Sequence, residues 1–489
     1  RGMGTNGERG RMGSLLRRKT IIEQPPERAL ARTLSWPHLV ALGVGAIVGT
    51  GILTLIGVGA DRAGPAVLLS FVVAGAICAC AALCYAEMAT AIPASGSAYT
   101  YSYAVLGEVF AWVVGWSLIL EYSLVVATVA VGWSGYAVGF LKGLGIVLPA
   151  ALTHGPAVAG SLFDGSLRLT ELGVNLPAIA IIAVVAGLLS LGTQESARIN
   201  SALVVLKIVT LALFVAVALP HFDAANLHPF APYGYGSVAG ENGVKYGVMG
   251  AAAIIFFAFY GFDAISTAAE EAKRPERDLA IGIIGSMAAC TVIYIVVAGA
   301  AVGALGFARF SNSPEPLALI LREIGQDRIA TVIAAAAAIA LPTVILGFLY
   351  GQSRIFLVMA RDGFLPGSLA RVSSRGTPAR ITAVTAAFVS VIAALTPLDV
   401  IASLANAGTL CAFTAVAACV LVMRRRGTPS KGFRTPAAWI VAPAAILGCL
   451  YLFNSLQEVT QLSFVAWNVF GLIVYLAWGR RRASVDDAA

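Results

Sequence analysis

The chain has 489 residues, 58% of them hydrophobic and 12% charged, with a net charge of +8 and a mean hydropathy of +0.85. A soluble domain is about a quarter charged, so this composition excludes a soluble fold. Apolar runs of about 20 residues recur along the whole length, each long enough to cross about 30 Å of hydrocarbon, and the polar–apolar alternation of a membrane barrel is missing.

The expected fold is an all-α polytopic membrane protein with a single membrane domain. Residues 1–34 read as a cytoplasmic N-terminal tail with no signal-peptide stretch, so the first span serves as its own signal. Met12 is the expected start, which leaves 1–11 as extra sequence. Twelve spans follow, near 35–59, 64–92, 106–140, 175–191, 199–219, 247–270, 280–306, 328–353, 381–396, 399–423, 436–455 and 463–479. Residues 35–219 hold spans 1–5 and residues 247–423 hold spans 6–10. Residues 436–479 add two C-terminal helices, and 480–489 form a cytoplasmic tail. An odd number of spans per half inserts the second half upside down, which makes a five-plus-five inverted repeat. The Pro-, Gly- and Tyr-rich segment 220–246 faces outside, either capping a vestibule or simply connecting the halves.

With the N-terminus inside, the inner segments carry 25 of the 33 Lys and Arg residues and the outer segments seven; the last, Lys207, lies within a span. This positive-inside asymmetry sets both termini in the cytoplasm, with the chain in the plasma membrane. It also accounts for the basic balance without nucleic acid. The seven cysteines fall in spans as small packing residues and imply no disulfide framework. The four histidines do not cluster. No metal-ligand spacing, nucleophile elbow or Walker loop occurs, and Gly43-Val44-Gly45 lacks the strand and acidic partner of a nucleotide fingerprint. Neither an enzyme, a metal nor a cofactor is expected.

Two spans are interrupted in matching positions of the two halves. Span 1 carries Gly43-Val44-Gly45-Ala46-Ile47-Val48-Gly49-Thr50-Gly51, and span 6 carries Phe256-Phe257-Ala258-Phe259-Tyr260-Gly261-Phe262-Asp263. Unwound backbone at membrane depth survives only where protein or a cavity satisfies it, and paired interruptions point to a transporter's binding site. Gly49, Thr50 and Gly51 sit at a half-helix N-terminus, whose free N–H groups and partial positive charge suit a carboxylate. The carbonyls of Ile47, Phe257, Ala258 and Tyr260 suit an ammonium. A ligand carrying both groups on adjacent atoms is an α-amino acid.

Lys207 lies nine residues past Arg198, about 13 Å along a helix, too deep for easy snorkelling. Burying it costs about 2.5–3.5 kcal/mol on insertion scales. Docked on unwound span-1 carbonyls, its ammonium takes the place of a coupling sodium ion, or else it is a static tether between spans 5 and 1. Glu121, deep in span 3, is a candidate for attracting a substrate ammonium, carrying a proton or pairing with another helix. Asp263 either caps the following half-helix or gates the pathway. Glu87 is expected to make structural hydrogen bonds, and Pro342 to kink span 8.

Gly45 through Ile52, Cys84-Tyr85-Ala86-Glu87 and Pro93 through Tyr99 resemble the amino acid–polyamine–organocation superfamily. Trp116 through Tyr122, Gly261-Phe262-Asp263-Ala264, Glu270-Glu271 with Pro275, Tyr350-Gly351-Gln352-Ser353-Arg354 and Arg361-Asp362-Gly363 narrow the likeness to bacterial members of its cationic amino acid transporter branch. The resemblance covers about residues 30–480. It implies a LeuT-like inverted-repeat fold working by alternating access, with the substrate carboxylate on the first break and its amine on both. It also implies a proton-linked lysine at Lys207. Phe348, with Glu121 and Phe259, is expected to bound the side-chain pocket, and a ring at Phe348 favours small neutral amino acids over arginine or lysine. The function expected is secondary active, proton-coupled amino acid import. The alternatives are a sodium-independent exchanger, a cationic amino acid transporter and a non-transporting membrane sensor. The partners expected are an amino acid, protons and the lipid bilayer, with a small accessory membrane subunit left open.

Overall fold

The computed structural model describes residue 18 and residues 34–94, 96–159, 168–190, 197–240, 243–269, 272–311, 313–365, 379–427 and 432–479. Almost all of the two expected tails, with Ser95, Glu270, Glu271, Arg371, Arg375 and Lys431, lies outside the described residues.

Among the described residues, eight helical stretches are long and apolar enough to cross a membrane. Four shorter apolar helices, Trp36–Ile47, Leu176–Ser190, Ala379–Leu395 and Ala438–Asn454, overlap further expected spans. Span 1 is three pieces, α1 (Trp36–Ile47), α2 (Thr50–Leu53) and α3 (Leu55–Ala63), followed by α4 (Val67–Ala91). A short helix, α5 (Ser97–Val105), leads into α6 (Glu108–Gly143), which at 36 residues is about 54 Å long. Next come α7 (Leu176–Ser190) and α8 (Ala197–Ala218). Span 6 is α9 (Val248–Ile255), a 3-10 turn at Phe256–Phe259 and α10 (Ala264–Thr267). After it come α11 (Pro275–Ala304), α12 (Pro316–Glu323), α13 (Asp327–Ala340), α14 (Pro342–Arg361), α15 (Ala379–Leu395), α16 (Leu398–Arg425), α17 (Ala438–Asn454) and α18 (Glu458–Val474).

Helix starts depart from the apolar runs where charge or proline begins a helix. Helix α11 starts at Pro275 rather than near 280, because Pro suits the first helical position and Glu276 and Asp278 complement the N-terminal dipole. Helix α18 starts at Glu458 rather than near 463, with Glu458 in its first turn. Span 8 is divided at Leu341-Pro342, where proline cannot continue the hydrogen-bond ladder.

The packing has a regular pattern. Helix α4 lies against α11, and α7 lies against α15. Helix α1 packs on α11 as α9 packs on α4, and α6 packs on α16 as α13 packs on α8. Helix α1 also meets α8, as α9 meets α16. Large apolar side chains such as Val292, Ile339, Val205, Ile440 and Leu447 stay exposed along the outward faces. Such faces are stable in hydrocarbon and would be a liability in water.

Residues 220–240 and 243–246 form short turns and the two-residue pair β1 (Val238–Ala239) with β2 (Lys245–Tyr246). They are tied to the helix ends by Ala66 N–H to Phe230 O at 2.9 Å and by Asn226 Nδ2 to Gly303 O at 2.8 Å. Helix α12 is held to α6 through Arg322, which pairs with Glu315 and donates to Gly139 O at 3.3 Å. Burial pushes the Glu315 carboxyl above its ordinary range while Arg322 pulls it down. On the other side, Glu87 accepts from Arg424 Nη2 at 3.0 Å and from Thr435 N–H at 2.9 Å, a structural network joining α4 to the end of α16.

Candidate binding site at two helix breaks

The first break spans Val48 and Gly49. Val48 is extended (φ −72°, ψ 100°) and Gly49 lies at φ −155°, ψ −145°, so the helix stops at Ile47 and restarts at Thr50. A restart leaves the first N–H groups without a helical carbonyl behind them. The second break begins with the 3-10 turn, passes through extended Tyr260 (φ −64°, ψ 152°) and turns at Gly261, whose φ of +111° favours glycine.

The breaks lie against each other. A Cβ on Gly51 would sit 2.2 Å from Ala258 Cα, so only glycine permits this approach. Gly261 in turn abuts the backbone of Ala46 and Ile47. The sequence leads one to expect a cavity between the breaks; here they are closed. A cavity of about 10 Å³ beside them, lined by Val48, Leu53, Lys207, Thr210, Leu211, Ala336, Ala337 and Ala340, has room for about one water.

Three side chains from other helices satisfy carbonyls of span 1. Lys207 Nζ, buried on α8, donates to Gly45 O at 2.7 Å. Tyr294 OH on α11 donates to Ile47 O at 2.8 Å. Tyr136 OH on α6 donates to Leu53 O at 2.5 Å. The Ile47 carbonyl, expected to be open to a ligand ammonium, therefore already accepts one bond and keeps one lone pair. The hydroxyls of Thr50 and Thr54 are buried with no partner among the described residues, a costly arrangement unless something else fills their valence.

At the second break the Asp263 carboxylate accepts from the preceding Gly261 N–H at 3.2 Å, with the Ala264 N–H that opens α10 and the Tyr122 hydroxyl beside it. Ser266 Oγ, 3.0 Å from Ser97 Oγ, donates to Asp263 O at 2.5 Å. Asn406, on α16 and fully buried, was not singled out from the sequence. It accepts from Tyr260 OH, and its Nδ2 donates to Ala253 O at 2.6 Å and Ile254 O at 3.2 Å.

The three residues expected to bound the side-chain pocket pack against different neighbours. The Phe348 ring lies 5.2 Å from Tyr122, between α14 and α6. Phe259 turns toward Phe71 and Tyr294, at 6.3 and 5.4 Å, on α4 and α11. Glu121 is buried against Gly408 of α16, with the Thr409 side chain beside it and its Oε2 unpartnered among the described residues. Phe257 packs on Tyr260 at 4.8 Å, and Ala258 faces Gly51.

A bundle of long apolar helices, two of them broken where they meet and flanked by buried polar groups with no partner among the described residues, has the features of a multi-pass membrane protein. The family profile described as "Amino acid permease" matches residues 34–478, and the chain belongs to that family, within the amino acid–polyamine–organocation superfamily. It is a family of transporters, not enzymes. A branched-chain amino acid permease, BcaP, of Bacillus subtilis is 42% identical over 481 residues, covering 97% of this chain and all of the relative. A methylthioribose transporter of the same organism is 41% identical, with 97% and 100% covered. A vacuolar cationic amino acid transporter 4 of Arabidopsis thaliana is 34% identical over 84% of this chain and 67% of its own length.

Proposed function

We propose that this amino acid permease imports small neutral L-amino acids across the plasma membrane by alternating access, coupled to protons through Lys207. The observation that carries the coupling is the 2.7 Å bond from Lys207 Nζ to Gly45 O, one turn before the first break. A cation fixed on span-1 carbonyls does the electrostatic work of a bound sodium ion. Unlike sodium, a buried lysine can leave as a neutral amine when its proton departs. Protonation then changes how firmly α1 is held to α8.

The substrate carboxylate is assigned to Gly49, Thr50 and Gly51, which supply the half-helix N–H groups and a Thr50 hydroxyl with no partner among the described residues. Its ammonium is assigned to the carbonyls of Ile47, Phe257, Ala258 and Tyr260, with Glu121 and Asp263 as nearby anions. The Phe348–Tyr122 pair closes the side of α14 and supports short side chains over long basic ones. Relatives of nearly equal identity are named for branched-chain amino acids and for methylthioribose, so the pocket's own shape carries the choice of substrate.

Twelve crossings in a five-plus-five inverted repeat, spans 1–5 in 35–219 and spans 6–10 in 247–423, suit the packing. Exchanging each helix of one half for its counterpart five spans away turns the α1–α11, α6–α16 and α1–α8 contacts into α9–α4, α13–α8 and α9–α16, all of which occur. Spans 11 and 12 fall outside the exchange, and the excess of inner basic residues supports both termini in the cytoplasm.

Purified protein in liposomes, with opposed pH and sodium gradients, tests the reading. Labelled alanine or leucine is expected to accumulate with the pH gradient and to be competed by neutral amino acids, not by arginine. Accumulation driven by sodium alone would reject proton coupling. Binding without counterflow would make the chain a sensor.

A further inference from the structure

In a continuous α-helix, the Ala253 carbonyl would accept from the Phe257 N–H. The tightening to a 3-10 turn at Phe256–Phe259 redirects N–H groups to carbonyls three residues back and leaves Ala253 O without that partner. Asn406 Nδ2 supplies the missing donor at 2.6 Å and reaches Ile254 O at 3.2 Å. The amide's other end accepts from the Tyr260 hydroxyl, on the far side of the turn. Two carbonyls on one side fix the amide orientation, so its oxygen must face Tyr260. One fully buried side chain thus staples both ends of the second break to α16.

We propose that Asn406 is a positioning residue for transport. It holds span 6 unwound, so that the carbonyls of Phe257, Ala258 and Tyr260 keep the spacing that receives the substrate ammonium. The inference rests on the assignment of the ammonium to this break. Leucine at 406 removes both arms: the Ala253 carbonyl then recruits the Phe257 N–H, the turn relaxes toward α-helix and Tyr260 swings free. Aspartate keeps an acceptor for Tyr260 and sets oxygen against the two carbonyls. Because Asn406 reaches the ligand through the backbone and through Tyr260, its loss acts on substrate affinity more than on turnover.

The test is uptake of labelled alanine and leucine by proteoliposomes holding Asn406→Leu, Asn406→Asp, Tyr260→Phe, the Asn406→Leu/Tyr260→Phe pair and Thr50→Val, each checked for its thermal midpoint. The expected result is a KM raised about tenfold in Asn406→Leu with a smaller change in maximal rate. Asn406→Asp should raise KM more than Tyr260→Phe, and the double variant should fall short of the product of its singles. If Asn406→Leu fails to fold, the ranking of Asn406→Asp against Tyr260→Phe decides alone. Unchanged KM in the 406 variants, or effects that multiply independently, would overturn the inference. Thr50→Val separates the two readings. If it raises KM while the 406 variants do not, Asn406 has no positioning role and the site stands. If neither changes KM, the site itself is misplaced.

Discussion

The two breaks solve one problem in different ways. Each removes backbone hydrogen bonds at membrane depth, where an unsatisfied group costs several kcal/mol. At the first, the replacements come from three other helices: Lys207 from α8, Tyr294 from α11 and Tyr136 from α6. One of those donors carries a titratable charge. At the second, the replacements are a neutral amide from one other helix, Asn406 on α16, and the local Asp263 carboxylate on Gly261 N–H. On the proposed coupling, the first break responds to a proton through Lys207. At the second, the anchor that comes from another helix is an amide, which never titrates.

The sharpest way to break this comparison is to pry the two apart. Gly51→Ala sets a methyl against the backbone of Ala258, which cannot rotate away as a side chain could. It should remove nearly all uptake and lower stability by about 1–3 kcal/mol, as read by proteoliposome transport and thermal unfolding. Wild-type transport would mean the breaks need not meet.

Lys207→Met comes next. It preserves the length of the side chain and leaves Gly45 O unpaired, at a cost of about 1–3 kcal/mol. The pH dependence of uptake should flatten while residual exchange of substrate continues. A retained pH profile would move the proton to another group and reduce Lys207 to a tether.

Tyr294→Phe should have the smallest effect, about 1 kcal/mol of stability for one neutral hydrogen bond. It frees the Ile47 carbonyl without touching charge, so the pH profile should stay as it is while substrate affinity shifts only slightly. A changed pH profile would erase the distinction between the charged and the neutral anchors of the first break.

Much of this molecule was legible in its residues. Apolar runs announced the bundle. Gly49-Thr50-Gly51 and Gly261 announced the interruptions, because glycine at such positions serves close approach or positive φ rather than helix. Lys207 stood out because a charge so deep needs a reason, and Pro342 marked the division of span 8. Helix starts at Pro275 and Glu458 were less legible, since charge and proline open those helices before the apolar run begins.

What the sequence alone could not supply were partners far apart in the chain. Tyr136 and Tyr294 find their carbonyls 83 and 247 residues away, and a tyrosine in an apolar span reads as packing until its neighbour is known. Asn406, in Leu404-Ala405-Asn406-Ala407-Gly408, carried no local signal, because its role depends on α16 crossing span 6 where the helix tightens. The sequence also grouped Phe348 with Phe259, and only tertiary packing turned one ring toward α6 and the other toward α4 and α11. Local chemistry determined where the backbone leaves the helix. The crossing of distant helices decided which groups repair it, because hydrogen bonds are short and directional while the residues that make them are scattered along the chain.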